Sequence, residues 1–84
     1  MYIIKVCCKG DKFYYFYPST YGGMITWNPF EAMKNGFKTI GEAKSFFNDA
    51  QDSFKQLTLG ANVDAVKIES VQTSFEDVEI IANL

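Results

Sequence analysis

The longest regular pattern of apolar positions in the chain runs from Thr39 to Leu57. Apolar side chains recur there at steps of three and four residues, which places them on one stripe of an α-helix. The stripe consists of Ala43, Phe46, Phe47, Ala50, Phe54 and Leu57. Thr39 and Glu42 have the spacing of a capping box, which marks a helix start. The pattern predicts one main helix over residues 39–57.

Two stretches with strand character precede this helix, at residues 2–8 and 13–17. Both are rich in β-branched and aromatic residues, which favour strands. The dipeptide Gly10-Asp11 between them suits a two-residue hairpin turn. The sequence therefore predicts an antiparallel hairpin at the start of the chain.

The length of this turn decides which hairpin side chains face the helix. A two-residue turn pairs Val6 with Tyr15 and Ile4 with Tyr17, and these side chains then form a bed for the helix stripe. Tyr14 and Phe16 fall on the opposite face of the sheet in this register. A three-residue loop would exchange the two faces of one strand, and it remains the alternative.

Further elements follow the hairpin. A third strand is predicted at residues 24–27, and a short helix starts at Asn28-Pro29 and stops at Asn35-Gly36. A fourth strand is predicted at residues 65–73. The tail over residues 74–84 combines a helical step of three with a strand-like alternation, and its Val and Ile content favours a strand.

Together these elements predict an α+β fold, with an antiparallel sheet of four or five strands and one main helix packed on one face. We expect Phe46, Ala50 and Phe54 of the helix stripe to be buried against Ile4, Val6 and Tyr15. Linkers, repeats and low-complexity tracts are absent from the sequence, so residues 1–84 are predicted to form a single domain.

Composition argues against most catalytic classes. The 84 residues contain no histidine, every positive charge is a lysine, and the net charge is −2. Histidine is the usual proton carrier near neutral pH, and arginine is the usual bidentate reader of phosphate and guanine. Neither a nucleophilic triad nor a phosphate-binding loop can be assembled from the motifs present. We expect a protein without enzymatic activity, catalytic residues or cofactor.

The two cysteines are adjacent in sequence, at Cys7 and Cys8. On a strand they point to opposite faces, which disfavours a disulfide between them. Neither has a Cys-x-x-Cys partner or a histidine that would complete a metal site. We expect both to act as small apolar side chains in a reducing compartment, with a reactive thiol or an intermolecular disulfide as the alternative.

The most unusual stretch is the aromatic run over residues 13–17. A small domain with one helix covers one face of its sheet, and the two-residue turn leaves Tyr14 and Phe16 on the other face. These two rings are therefore predicted to form a partner-binding surface, and they could also support a homodimer. The alternative is that the tail or the short helix covers them.

Acidic side chains form two further groups that could bind a partner. Three lie on the outer surface of the predicted helix and three in the tail: Glu42, Asp49, Asp52, Glu76, Asp77 and Glu79. Such residues are usually solvated charges. The functional alternative is a negative patch that occupies a nucleic-acid-binding site on another protein.

Part of the chain resembles a pattern found in many short, uncharacterised proteins of phages and prophages. The residues that carry the resemblance are Trp27, Ala32 and the stretch Phe37-Lys38-Thr39-Ile40-Gly41-Glu42-Ala43. In those proteins a strand with a tryptophan leads into Phe-x-Thr-x-x-Glu-Ala and a single helix. A strand rich in lysine and valine follows, as at residues 65–68 here. The resemblance implies a genomic setting in which small proteins often bind and disable a host factor.

We therefore expect a small, non-enzymatic protein-binding module in the cytoplasm, which is the host cytoplasm if a phage encodes it. The predicted partner is a host protein or complex, and the predicted role is anti-CRISPR-like inhibition of a host defence or nucleic-acid-handling complex. One alternative is a single-stranded nucleic-acid-binding protein that uses Tyr14, Phe16, Lys5 and Lys12, although composition disfavours nucleic acid. Another is a self-assembling structural protein. No apolar run reaches the length of a membrane span, so we expect no membrane partner.

Overall fold

A computed structural model describes residues 1–83 and shows an α+β fold. In this part of the chain, five antiparallel strands form one sheet in the order β3-β2-β1-β4-β5, and three helices accompany it. The strands are β1 (Tyr2–Cys8), β2 (Lys12–Ser19), β3 (Gly22–Thr26), β4 (Val63–Val71) and β5 (Phe75–Asn83). The helices are α1 (Pro29–Lys34), α2 (Ile40–Asp49) and α3 (Gln51–Leu57). The α+β class and the antiparallel sheet are therefore confirmed, and the tail forms a strand over Phe75–Asn83, while Leu84 lies outside the described residues.

The predicted main helix is divided into α2 and α3. Ala50 lies between them with φ −101° and ψ 25°, outside the helical range. The backbone N–H of Ala50 still donates to the carbonyl oxygen of Phe46 at 2.9 Å. The side-chain amide of Gln51 donates to the backbone carbonyl oxygen of Phe47 at 2.8 Å. These bonds satisfy carbonyls near the break. The apolar stripe continues across it, since Phe47, Ala50 and Phe54 are all buried.

The predicted caps are present at the starts of α1 and α2. The side-chain oxygen of Asn28 accepts from the N–H of Phe30 at 3.0 Å. The hydroxyl of Thr39 accepts from the N–H of Glu42 at 3.0 Å, and the carboxylate of Glu42 accepts from the N–H of Lys38 at 3.2 Å. The first two bonds satisfy amides in the first turn that each helix itself leaves unpaired. The Glu42 carboxylate reaches Lys38, one residue before the N-cap, and not the N-cap amide that a capping box uses.

The hairpin register differs from the preferred prediction. Lys9–Asp11 form a three-residue loop, in which Gly10 and Asp11 have φ values of 81° and 58°. Val6 consequently lies opposite Tyr14, not Tyr15. A shift of one residue sends every side chain of β2 to the other face of the sheet. The two-residue turn was therefore wrong, and the alternative loop length describes the hairpin.

The core lies between the sheet and the helices α2 and α3, on what we call the helix face. The sheet contributes Ile4, Val6, Tyr14, Phe16, Val66 and Ile68. At its centre the fully buried Phe16 ring has its centroid 5.2 Å from that of Phe46 and 5.4 Å from that of Phe54. The predicted helix bed was right for Ile4 and Val6 and wrong for Tyr15.

The opposite side of the sheet, which we call the open face, carries only the short helix α1 among the described elements. Ala32 of α1 packs there with Ile3, Tyr15 and Val71 in a second, smaller cluster. The chain then returns to the helix face through Phe37, whose backbone exchanges two hydrogen bonds of 2.8 Å with Tyr2. Most of the open face beyond this cluster has no helix above it.

No helix within residues 1–83 is both long enough and apolar enough to cross a membrane.

Candidate binding surface on the open face

Alternation along the three central strands brings charged, aromatic and thiol side chains to the open face. Residues directly opposite one another on paired strands share a face, and the observed pairs are Lys5 with Tyr15 and Lys67, Cys7 with Phe13 and Ala65, Glu69 with Asp77, and Lys67 with Ile80. The surface therefore follows from the hairpin register and from the pairing of β4 with both β1 and β5.

Two lysines meet at the centre of this surface. Lys5 and Lys67 are direct cross-strand partners, an arrangement that repulsion alone would disfavour. Asp77 lies between them, with one carboxylate oxygen 3.4 Å from the Nζ of Lys5 and the other 3.5 Å from the Nζ of Lys67. The Asp77 carboxylate thus bridges the two ammonium groups.

Glu69 extends these contacts toward α1. It is only 3% exposed, and its carboxylate lies 3.4 Å from the Nζ of Lys5 and accepts from the hydroxyl of Tyr15 at 3.3 Å. A buried carboxylate needs such partners, because it has given up its hydration. We call Lys5, Tyr15, Lys67, Glu69 and Asp77 the paired network, and it contains two positive and two negative groups.

The pKa directions follow from this geometry. Burial raises the pKa of Glu69, and the opposing effect of Lys5 does not cancel it. Burial lowers the pKa of Lys5, but the carboxylates of Glu69 and Asp77 outweigh it, so the net pKa is raised. Burial raises the pKa of Asp77, but its two lysine partners outweigh that effect and the net pKa is lowered. The Lys5 and Asp77 charges are therefore stabilised by each other.

Apolar side chains flank the paired network. Phe13 is 44% exposed and Ile80 is 53% exposed. The Nζ of Lys5 lies 4.9 Å from the centroid of the Phe13 ring, within the range of a cation–π contact. A groove of about 340 Å³ runs along this side, lined in part by Cys7, Lys12 and Asp64. The open face thus combines exposed apolar area with a fixed set of charges.

Cys7 contributes no activated nucleophile to this groove. Both cysteines are free and half-buried. Burial raises the pKa of Cys7, and the nearby ammonium groups of Lys5 and Lys67 oppose the rise without reversing it. A thiol with a raised pKa stays protonated near neutral pH and is a weak nucleophile. Among the described residues, no three Cys, Asp or Glu side chains are grouped so that they could hold a metal ion.

The two aromatic residues predicted to form the contact surface lie on the wrong side of the sheet for that role. Tyr14 is 4% exposed and Phe16 is fully buried, and both belong to the core of the helix face. Their placement on an uncovered face, and with it the proposed aromatic homodimer contact, rested on the wrong hairpin register. The exposed ring on that strand is Phe13.

The acidic residues do not gather into one negative surface. Asp77 belongs to the paired network on the open face, whereas Glu79 forms an ion pair with Lys44 of α2 on the helix face. Glu42 is engaged in capping α2. The other three acidic side chains are exposed, Asp49 and Asp52 beside the bend between the helices and Glu76 on β5. Their predicted role in partner binding stays a prediction.

Sequence reasoning missed Phe13, Lys67 and Ile80 as members of a common surface. A three-residue loop would have placed Phe13 on the open face, and that alternative was available from the sequence. Lys67 and Ile80 meet only because β5 pairs with β4 through two irregularities in register. A β-bulge of this kind shifts which side chains face each other and has no strong local sequence signal.

Comparisons with protein-family models, with curated proteins and with solved structures found no match to this chain. The resemblance to short phage and prophage proteins therefore stays a prediction.

Proposed function

We propose that the chain is a non-enzymatic protein-binding module whose contact surface is the open face of its sheet. The observation that carries this proposal is that the helices cover one face of the sheet much more fully than the other. The helices α2 and α3 bury one side of the sheet, whereas the side with Lys5, Phe13 and Lys67 has no helix over its centre. An ordered surface of this kind is left available to a partner.

The chemistry of the open face supports a protein partner. Protein interfaces combine an apolar centre with polar groups around it. Phe13 and Ile80 supply exposed apolar area, and the paired network supplies charges held by their own neighbours. Pre-organised groups lose little conformational freedom on binding. A partner with an apolar patch bordered by both acidic and basic side chains would complement this surface.

The biological role that we propose is inhibition of a host defence or nucleic-acid-handling complex by occupation of its surface, in the host cytoplasm. The resemblance to phage and prophage proteins motivates this role. The absence of histidine and arginine from the sequence favours action by occupation over catalysis.

Affinity capture from a bacterial host lysate tests the proposal. The lysate is treated with nuclease, so that a captured protein cannot be held through nucleic acid. Phe13→Ser combined with Ile80→Ser should reduce recovery of the partner about tenfold or more, because both substitutions remove apolar contact area. Lys55→Ser combined with Gln56→Ser is the matched control, since both residues are exposed on α3 and neither belongs to the open face or to the predicted partner-binding residues.

The control variant should recover the partner as the unaltered chain does. Denaturation midpoints of both variants establish that the fold is retained. Equal recovery by the open-face variant and the unaltered chain would exclude this face as the contact surface. Loss of every partner on nuclease treatment, together with direct binding of labelled single strands, would exclude protein binding as the function.

A further inference from the structure

A second groove lies at the end of the sheet where the loop Lys9–Asp11 joins β1 to β2. It has a volume of about 290 Å³, at the lower end of the range for small-molecule sites. Its lining is formed by Cys8, Lys9, Lys12, Tyr14, Trp27, Ala61 and Asn62. Tyr14 places this groove on the helix-face side of the sheet, and the loop after α3 closes its far wall.

The aromatic wall of this groove is built by Trp27 and Tyr14. Their ring centroids are 5.3 Å apart and their planes meet at 74°, which is an edge-to-face contact. In such a contact at least one face of the indole ring is free of Tyr14. Trp27 is 68% exposed, although tryptophan is usually well buried. A flat ring of the ligand can therefore stack on the indole, which the edge-to-face contact holds in place.

The charge of this groove has one sign. Lys9 and Lys12 are its charged lining residues, and no carboxylate of residues 1–83 lines it. Both lysines are exposed, and neither forms an ion pair within residues 1–83. They differ in this respect from Lys5 and Lys67 of the open face, whose two charges are already paired with the carboxylates of Glu69 and Asp77. An anion entering the groove displaces no existing ion pair.

We propose that this groove binds one nucleotide unit, with its base stacked on Trp27 and its phosphate held by Lys9 and Lys12. Stacking on an aromatic side chain is tolerant of base identity, because every base has a π-face. The Asn62 side chain adds a donor and an acceptor that can meet a base edge or a sugar hydroxyl. The same chemistry describes a free nucleotide and one nucleotide of a single strand.

The site differs from the protein-binding surface proposed above, because its aromatic wall lies on the other side of the sheet from Phe13 and Ile80, although Lys12 lines both grooves. Either proposal can fail without the other. The net charge of −2 makes the local positive character of this groove a feature of its lining and not of the whole molecule.

Trp27 is the only tryptophan in the sequence, so its fluorescence reports directly on this groove. The experiment is a titration with adenosine monophosphate, adenosine, inorganic phosphate and a short oligodeoxyadenylate. Adenosine monophosphate should quench the fluorescence saturably and bind about tenfold more tightly than adenosine, since only the nucleotide engages the lysines. Inorganic phosphate should compete with the nucleotide and produce no stacking quench of its own.

The oligonucleotide arm distinguishes the two sources of the ligand. Binding per strand that is at least tenfold tighter than that of the mononucleotide, and that weakens steeply with salt, identifies a single strand as the source. Equal affinity of the two identifies a free nucleotide. The absence of a saturable quench with either ligand would overturn the proposal.

Variants test the assignment of the lysines. Lys9→Gln and Lys12→Gln should each weaken binding of adenosine monophosphate about threefold to tenfold, because each removes one charge from the groove. Lys55→Gln, an exposed lysine on α3, is the matched control and should leave the affinity unchanged. A Lys9→Gln, Lys12→Gln double variant that binds as tightly as the unaltered chain, or adenosine that binds as tightly as its phosphate, would overturn the site as described.

Discussion

The two faces of the sheet are built from alternating residues of the same strands, yet they are held together in different ways. On β1, Ile4 and Val6 are fully buried beneath the helices. Lys5, the residue between them, takes part in ion pairs with Glu69 and Asp77 on the other side. One face is stabilised by close packing of aliphatic and aromatic groups, and the other by charges that neutralise one another.

This difference separates the apolar packing that the fold needs for its stability from the ion pairs that it does not need. Replacement of a buried ion pair by apolar residues of similar size is often neutral or stabilising. Stability alone therefore does not explain why Lys5, Glu69 and Asp77 occupy a sheet face. Charges that are fixed in place on an uncovered surface are useful for solubility and for partner selection. The open face is consequently the surface to which we propose a function. The following substitutions test the difference between the two faces.

The largest expected effect compares two phenylalanines of β2. Phe16→Ala should cost about 3 to 5 kcal/mol of unfolding free energy, because it leaves a cavity at the centre of the core. Phe13→Ala, on the open face and 44% exposed, should cost less than about 1 kcal/mol. Urea denaturation of both variants measures the difference. Similar costs for the two would mean that the observed register, and thus the assignment of faces, is incorrect.

The parts of the fold that could be predicted from the sequence are those with local signals. The helical stripe, both caps and the strands were predictable because their signals are local: apolar periodicity, Thr39 with Glu42, and Asn28 with Pro29. The break at Ala50 was not, since alanine is a good helix former and carries no signal for a bend. Ala50 is buried in the core with the sheet residues, and this tertiary packing overrides that propensity.

The candidate surface was less predictable than the fold. Its position depends on whether the loop at Gly10 has two or three residues, and the local sequence suited both lengths. Its composition depends on β5, whose irregular pairing brings Asp77 opposite Glu69 and Ile80 opposite Lys67. Long-range register of this kind is set by the whole sheet, and no local pattern specifies it.

The next largest loss of stability is expected from Gly23→Ala, which tests how closely β3 is packed against the helix-face core. A Cβ atom at Gly23 would overlap the ring of Phe16. Gly23→Ala should therefore cost about 1 to 3 kcal/mol through overpacking. Gly41→Ala is the matched control, because it lies in α2 where a Cβ meets only the Thr39 hydroxyl oxygen at 3.8 Å. The control should be neutral or stabilising by up to about 1 kcal/mol in thermal or urea denaturation.

A smaller effect tests the paired network. Lys5→Met should destabilise the fold by about 1 to 2 kcal/mol at neutral pH, because Glu69 is left buried without its cation. The folded-state pKa of Lys5 is raised above its ordinary 10.5, so its contribution is complete below that pH and is lost as pH rises through the raised pKa. The cost of the substitution should therefore shrink above pH 10.5.

The same variant should be least costly in acid, where protonation of Glu69 removes the uncompensated charge. Lys34→Met is the control, since the Lys34 side chain is 75% exposed and pairs only loosely with Glu31 at 3.7 Å. Its stability should follow the unaltered chain at every pH. A Lys5→Met cost that does not change between neutral and alkaline pH would show that the side chain stabilises by packing of its stem alone.

The smallest effects come from two adjacent tyrosines on opposite faces, and they are expected to have opposite signs. The hydroxyl of Tyr14 is buried, and the Cys8 thiol beside it, a weak hydrogen-bonding group, is not placed to form a hydrogen bond with it. Burial, with a contribution from that thiol, raises the pKa of Tyr14 to about 12. Removal of an unpartnered buried hydroxyl relieves its desolvation cost, so Tyr14→Phe should stabilise the fold by about 1 kcal/mol.

The hydroxyl of Tyr15 donates to Glu69 at 3.3 Å, a long bond for two oxygens. Tyr15→Phe should therefore destabilise the fold by about 1 kcal/mol. Denaturation midpoints of the two variants, measured in parallel, check the signs, and two changes of the same sign would contradict the assignment of the two hydroxyls to different environments.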